Sequence, residues 1–342
     1  MFNKNVYKYD DMKRREHMAV RKTAGWYLFT HHLLEVTGED AAVFLDYIYP
    51  NPMVNLEVGR ARYTTMLDEE AEIIDDVIIF RIEDNKFWIS TLFIKELIPW
   101  LDDHKGDYNV SYTNITRTQH MYTIQGPKSL EMINTFLSKP VDDLKFFSIE
   151  DNDIEGIPVK VYRGGFTGEK LGYEIYISAE KREFLKEKLK EASAKFDAHE
   201  VTEFQIMAWT LPTEAGYYYM RDLRHCNPFE VGLESGIDWN KDFVGKDALL
   251  TIKEAGASRE MVGFTMDEVD IRLESKDRGG PGSPVYVKGE EEEIGRIDKL
   301  IYSYVLEKNI GYILAKKGVL KLGDCVSLDN RYEGTITAKP FL

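Results

Sequence analysis

Two adjacent acids lead straight into an apolar run in the segment 63–80, YTTMLDEEAEIIDDVIIF. Asp75 and Asp76 precede the β-branched run VIIF, which is typical of a buried strand. An ionised carboxylate in such a strand needs a hydrogen bond or an ion-pair partner, because burying it alone costs several kcal/mol. Side chains alternate along a strand, so only one of the acids shares a face with Val77 and Ile79. The acids therefore either cap the strand in water or belong to a site.

Composition and charge exclude several classes of protein. The 342 residues suffice for two or three domains, and 43% hydrophobic content is enough for a folded core. A net charge of −15 disfavours binding to nucleic acid or to an anionic membrane surface, since no strong basic patch offsets it. Cys226 and Cys325 lack metal-ligand spacing, so we predict no metal site and a reducing, cytoplasmic location. The charged N-terminus does not resemble a signal peptide, and no segment approaches the ~20 apolar residues of a membrane span.

Strand and helix patterns alternate along the first two thirds of the chain. A hairpin is predicted around the polar turn 83–86, and the pattern changes near residue 245. Beyond that point, short strands separated by Gly, Pro and acidic turns predict a small β-barrel or sandwich. Helices are predicted at 11–24, 41–49, 93–104, 127–137, 179–196 and 202–215.

Three groups of residues are candidates for chemistry. His31 and His32 are adjacent in an extended segment and point to opposite faces, although each is also explained as a hydrogen-bonded structural imidazole. Glu174 lies between apolar residues inside a strand, where a position facing solvent is the simpler explanation. The tyrosine run 217–219 follows a helix and suits either ligand stacking or core packing.

Eight short motifs, spread over most of the chain, occur in the order that one enzyme family shows. They are EHMAVRKTAG (16–25), Thr30-His31, the segment from Tyr63 to Asp76, Gln125-Gly126-Pro127, GGFTGEKLGYEI (164–175), LPTEAG (211–216), NPFEVGL (227–233) and DFVGK (242–246). With this set the chain resembles the T-protein (aminomethyltransferase) superfamily of tetrahydrofolate-dependent one-carbon transferases. Each motif is loose alone, but eight in the same order are specific.

The resemblance implies an α+β fold of three domains, arranged like a cloverleaf around a central folate channel. A discontinuous folate-binding α+β domain would span residues 1–33 and 127–240. An inserted α+β domain would span residues 34–126, and a C-terminal β-barrel domain would span residues 241–342. The implied cofactor is tetrahydrofolate.

The resemblance also implies roles for three residues. Asp75 aligns with the family's folate-facing acid, which leaves Asp76 as its opposite-facing structural neighbour. Glu174 aligns with the pteridine-binding glutamate, and Tyr63 with a tyrosine that lines the site. These roles are chemically reasonable, because a carboxylate accepts two hydrogen bonds from the NH₂/N3–H edge of a pterin. A second carboxylate near the folate amine would stabilise positive charge as the one-carbon group moves.

Further aromatic and proton-donating residues complete the expected site. Phe166 and Trp209 are predicted to contact the cofactor. A leaving group needs a proton, and His31 is the first candidate donor, with Tyr218 the second.

Departures from the family pattern bear on the reaction. The family's glycine-containing turn is DEEAE (68–72) here, and two family arginines align with Ala208 and Pro212. Polar groups expected for an aminomethyl-lipoyl substrate are therefore depleted, which favours the divergent demethylase members. Those enzymes move a methyl group from a small O-, N- or S-methyl donor to tetrahydrofolate. The alternatives are a glycine-cleavage aminomethyltransferase acting on a lipoyl carrier protein, and a non-catalytic folate-binding module, whose signature cysteine this chain lacks.

Overall fold

The computed structural model describes residue 8, residues 10–30 and residues 32–342. The helices in this part of the chain are α1 (Asp11–Lys22), α2 (Ala41–Ile48), α3 (Ile94–His104), α4 (Ser129–Ile133), α5 (Arg182–Phe196), α6 (Leu211–Glu214), α7 (Met220–Leu223), α8 (Pro228–Val231) and α9 (Lys246–Ala255). The strands are β1 (Gly25–Phe29), β2 (His32–Thr37), β3 (Ala61–Leu67), β4 (Ile73–Glu83), β5 (Lys86–Thr91), β6 (Ser111–Asn114), β7 (Gln119–Gln125), β8 (Ser148–Ile154), β9 (Ile157–Arg163), β10 (Gly172–Ser178), β11 (His199–Glu200), β12 (Arg259–Met266), β13 (Pro284–Val287), β14 (Glu293–Ser303), β15 (Lys308–Lys316), β16 (Cys325–Leu328) and β17 (Tyr332–Thr337).

The first sheet combines the N-terminal strand with strands from the middle of the chain, in the order β11-β1-β7-β10-β9-β8. Helices α4 and α5 cover one face, where Leu185 and Leu189 pack with Trp26 and Ile175. The opposite face turns toward the second sheet and includes Tyr176. Alternation along β10 places Glu174 on the same face as Tyr176.

The second sheet has the order β3-β4-β5-β2-β6. Helices α2 and α3 cover one face, and Val77 and Ile79 of β4 lie in that core with Phe44. The other face of β4 packs against the first sheet, where Phe80 contacts the ring of Tyr176 at a centroid distance of 5.7 Å. Both faces of β4 are therefore covered by protein.

The third sheet is a closed barrel in the order β12-β15-β14-β13-β16-β17. Its strands alternate between the barrel core and the outside, as closure requires. One irregularity interrupts β14: its register with β15 shifts between Ile297 and Lys299, so that Asp298 is the extra residue of a β-bulge.

The predicted α+β class and the closed C-terminal barrel are confirmed, while the domain boundaries stay a prediction. The helix predicted at 202–215 is instead a π-helical turn over Ile206–Thr210 followed by α6. Pro212 has no N–H to donate to the carbonyl of Ala208, which explains why regular α-helical bonding is lost there. Among the described residues, no helix is long and apolar enough to cross a membrane.

Candidate active site

The site lies where the three sheets meet. Helix α7 packs against β4 of the second sheet and against a 3₁₀ turn, Lys276–Arg278, from the C-terminal region. Strand β14 of the barrel packs against that turn and against the π-helical segment 206–210. These contacts bring acids from the second sheet, from α7 and from the barrel to one junction.

Asp75 faces the core of the second sheet. Its side chain is 1% exposed, and the Thr91 hydroxyl donates to Oδ2 at 2.6 Å. Across the strand pair it stands opposite Met66, which is a core residue. Burial, together with the charge of Asp76, raises the pKa of Asp75 to about 8. The role of Asp75 as the folate-facing acid stays a prediction, and this buried position against Thr91 does not favour it.

Asp76 occupies the face of β4 that turns toward the junction. It is half-buried, and the Tyr63 hydroxyl donates to Oδ2 at 3.2 Å. Burial raises the pKa of Asp76 to about 6, although the hydrogen bond from Tyr63 opposes the rise. Asp222 adds repulsion, and Lys299 acts in the opposite sense. Tyr63 is thus the hydrogen-bond partner of Asp76, and its predicted role in lining the cofactor site stays a prediction.

Glu174 lies in the middle of β10, on the face toward the second sheet. It is 6% exposed, and the Tyr176 hydroxyl donates to Oε2 at 2.9 Å. Burial raises the pKa of Glu174 to about 7. No ion pair within the described chain compensates this carboxylate, so it suits a ligand that brings hydrogen-bond donors. The donor edge of a pterin meets that requirement, and Glu174 is the residue that would hold it.

We expect tetrahydrofolate affinity to fall about tenfold or more in Glu174→Gln, because one acceptor oxygen is replaced by an amide donor. Affinity of the wild-type protein should also weaken as the pH falls through about 7, since protonation of Glu174 removes the same acceptor. Isothermal titration calorimetry at pH 6 and pH 8 measures both effects. Glu180→Gln, a change in an exposed turn, is the control. Equal affinity for Glu174→Gln and wild type would remove Glu174 from the pteridine site.

The two predicted aromatic contacts lie in different parts of the site. Phe166 packs edge to face on Phe29, at a centroid distance of 5.1 Å, in the cluster that also contains Tyr176. Trp209 lies in the π-helical segment, and its ring stands perpendicular to that of Tyr219 at 5.9 Å. Their roles toward the cofactor stay predictions.

The two predicted proton donors are His31 and Tyr218. His31 lies outside the described residues. Tyr218 shares a hydrogen bond with the Lys339 ammonium and packs against Tyr312. Burial raises the pKa of the Tyr218 phenol far above its usual value, which makes it a poor acid. Tyr218 as proton donor stays a prediction that this environment does not favour.

Two charged residues at the junction, Lys299 and Asp222, were not predicted from the sequence. Lys299 on β14 is fully buried and ion-paired with Asp222 on α7, at 2.6 Å from Nζ to Oδ2. Burial raises the pKa of Asp222, and the Lys299 ammonium opposes that rise. A signal was present, because Asp298-Lys299 puts two adjacent charges inside an apolar strand, just as Asp75-Asp76 does.

Comparison with known proteins identifies the family of the chain. Residues 2–241 match the family model described as the GCVT N-terminal domain. The chain belongs to this family, and it is accordingly a folate-dependent one-carbon transferase with tetrahydrofolate as the acceptor.

Relatives and a solved structure make the likeness more specific. A curated aminomethyltransferase from Thermoanaerobacter sp. (strain X514) is 32% identical over 321 residues, which cover 92% of this chain and 84% of the relative. One from Bacillus mycoides (strain KBAB4) is 34% identical over 317 residues, covering 88% and 81%. The crystal structure of glycine cleavage system aminomethyltransferase T from Bartonella henselae is 21% identical, with a TM-score of 0.85 over 96% of this chain and 89% of that one. The predicted T-protein fold is thereby confirmed.

Proposed function

We propose that the protein is an aminomethyltransferase, which moves a one-carbon unit from an aminomethyl-lipoyl carrier protein to tetrahydrofolate. The observation that carries the proposal is the placement of Glu174 and Asp76. These two carboxyls belong to different sheets, yet both lie on faces that turn toward the seam between those sheets. The name that the curated relatives share over most of the chain supports the aminomethyl donor.

In this proposal the residues of the chain have separate tasks. Glu174 accepts hydrogen bonds from the pterin edge and fixes the orientation of the acceptor. Asp76 supplies negative charge near the nucleophilic amine, which stabilises the positive charge that develops there during transfer. Tyr63 orients Asp76 through its hydrogen bond and favours the ionised form. When bound, tetrahydrofolate contributes the nucleophilic nitrogen that takes up the one-carbon unit.

A second candidate is the demethylase reaction with a small methyl donor. The observation that favours it is the absence of arginine from the π-helical segment, where Ala208 is buried and Trp209 adjoins Tyr219. Aromatic rings bind methylated cations or methoxy-aromatics well, but Arg278 already lies 5.0 Å from the Trp209 ring centroid, so a donor would have to share or displace this contact. The relatives' names favour the first candidate.

Product analysis separates the two candidates. We expect the protein to form methylenetetrahydrofolate, ammonia and the free dihydrolipoyl carrier when it is supplied with tetrahydrofolate and an aminomethyl-loaded lipoyl carrier protein. Parallel reactions would contain methoxy-aromatics, methylated amines or sulfonium compounds without the carrier, and products would be read by mass. Formation of 5-methyltetrahydrofolate from a small donor, with no product from the carrier, would establish the demethylase instead. Failure of every donor, with tetrahydrofolate shown to bind, would refute both.

A further inference from the structure

The bulge in β14 brings two charged residues into the protein interior. Asp298 is the inserted residue, and both it and Lys299 are at most 1% exposed. Gly311 on β15 lies against this bulge so closely that a Cβ atom there would overlap the carbonyl oxygen of Lys299. Bulges re-aim side chains and are common beside active sites. The bulge therefore directs the side chain of Lys299 out of the barrel and toward Asp222 at the junction.

Burying the charged ammonium of Lys299 at this position costs free energy. Its ammonium has one carboxylate partner within the described chain, Asp222, and both side chains are 0% exposed. Removing two charges from water costs free energy that their mutual attraction only partly recovers, and an apolar pair is often as stable. Asp222 Oδ1 is buried and finds no hydrogen-bond partner among the described residues. Stability alone is thus a weak explanation for this ion pair.

The ion pair and Asp76 lie on elements that contact each other. Helix α7, which carries Asp222, packs directly against β4, which carries Asp76. The ammonium of Lys299 is 5.8 Å from the ring centroid of Tyr219, which precedes α7. The titratable groups that act on Asp76, or on which it acts, are Tyr63 on β3, Asp75 on β4, Tyr219 and Asp222 at α7, and Lys299 on β14. Asp277 on the 3₁₀ turn and Asp298 on β14 interact electrostatically with Asp222 in turn. Lys299 is the cation of this set.

We propose that Lys299 is a positioning residue of the active site, which acts with Asp222 to set the charge of Asp76. The ammonium favours the ionised carboxylate of Asp76, and the Asp222 carboxylate opposes it. The inference rests on the function proposed above, in which the ionised form of Asp76 takes part in transfer. It gives the C-terminal barrel a direct influence on the chemistry, because the bulge determines where this ammonium lies.

Single substitutions on the two sides of the ion pair should have opposite effects. Lys299→Met leaves Asp222 uncompensated, so the pKa of Asp76 should rise by about one unit. Asp222→Asn leaves the ammonium uncompensated, so the pKa of Asp76 should fall. The double variant removes both charges, leaves no unpaired buried ion, and should return the pKa close to the wild-type value. Damage to the fold alone would not produce two shifts of opposite sign.

The pKa of Asp76 is measured most directly by the ¹³C carboxyl signal of aspartate-labelled protein during a pH titration, with Asp76→Asn identifying the signal. This readout needs no turnover, so it tests the role of Lys299 even if the proposed donor is wrong. Activity then provides the second test, since the acid limb of the pH–rate profile should move with the pKa in each variant. The proposal would be overturned if the two single variants shifted the pKa of Asp76 in the same direction, or if neither of them shifted it.

Two controls separate this effect from general electrostatics and from binding. Lys308→Met removes a lysine of the same barrel whose partner is the exposed Asp267, and it should leave the Asp76 signal unchanged. Tetrahydrofolate affinity at pH 8 should stay within about threefold of wild type in Lys299→Met, because Glu174 holds the pterin edge. A loss of affinity as large as that in Glu174→Gln would instead assign Lys299 to binding.

Discussion

Replacement of Asp76 by asparagine is expected to lower the turnover number by about 10²- to 10⁴-fold. The amide keeps the size of the side chain and its hydrogen bond with Tyr63, but it cannot supply negative charge beside the folate amine. Affinity for tetrahydrofolate should change little, because the proposed pterin contact is Glu174. Single-turnover kinetics with the aminomethyl-loaded carrier, together with calorimetric binding, would measure the two quantities separately.

Asp75→Asn is the matched control, since it makes the same chemical change one residue away. Its side chain contacts Thr91 inside the core of the second sheet, so turnover should stay within a few-fold of wild type. A loss of about 1 kcal/mol in the free energy of unfolding is expected from the weakened hydrogen bond. If Asp75→Asn abolished turnover and Asp76→Asn did not, Asp75 would be the folate-facing acid, as the resemblance implies. The role proposed for Asp76 would then be wrong.

Glu214→Ala is expected to lower the free energy of unfolding by about 3–5 kcal/mol. Glu214 is fully buried between helix α1 and strand β14 of the barrel. It accepts hydrogen bonds from Arg21 Nη2 at 2.8 Å, from Ser303 Oγ, and from His17 across 3.1 Å. Removing the carboxylate leaves the partly buried Arg21 guanidinium with its charge less well compensated. Chemical denaturation would give the loss, and Glu187→Ala, at an exposed residue, should show almost none.

The environment of Glu214 also predicts that the free energy of unfolding depends on pH. Burial acts to raise the pKa of Glu214, but His17, Arg21 and Ser303 outweigh it and leave the pKa below its usual value. The folded-state pKa is therefore below the unfolded one. The resulting stabilisation is fully present above the unfolded pKa, and it is lost as the pH falls through the folded pKa. Glu214→Gln should lack this acid-side loss, which denaturation at a series of pH values would detect.

The barrel could be predicted from sequence, because short strands and turns alternate regularly beyond residue 245. The strand pattern alone could not assign Glu174, since it made a solvent-facing position the simpler explanation. The resemblance singled this residue out, and the structure shows it buried with one hydrogen-bond partner, Tyr176. Its role toward the pterin stays a prediction.

The faces of β4 could not be predicted in the same way. Alternation shows that Asp75 and Asp76 point in opposite directions, but Val77 and Ile79 on one face are as apolar as Ile78 and Phe80 on the other. The face that meets α2 and α3 is decided by the packing of the whole sheet. A pattern with two equally apolar faces therefore carries no information on which acid reaches the junction.

Lys299 illustrates a different limit. Its inward orientation depends on the bulge at Asp298 and on the close approach of Gly311, a residue on the neighbouring strand. Strict alternation cannot reveal a bulge, because one inserted residue reverses the faces of all that follow. The π-helical turn before Pro212 is a similar case, in which a regular helical pattern hides a local change in backbone hydrogen bonding.

The position of β1 has a consequence for how the chain folds during synthesis. This strand lies between β7 and β11. Just before it, the Thr23 hydroxyl donates a hydrogen bond to the backbone carbonyl of Asp197, 174 residues further along the chain. The strands of the second sheet emerge from the ribosome before that partner exists. At about 5–20 residues per second, the β1 edge that β11 covers waits roughly 10–35 s. The first sheet therefore cannot be completed at β1 until β11 has been synthesised.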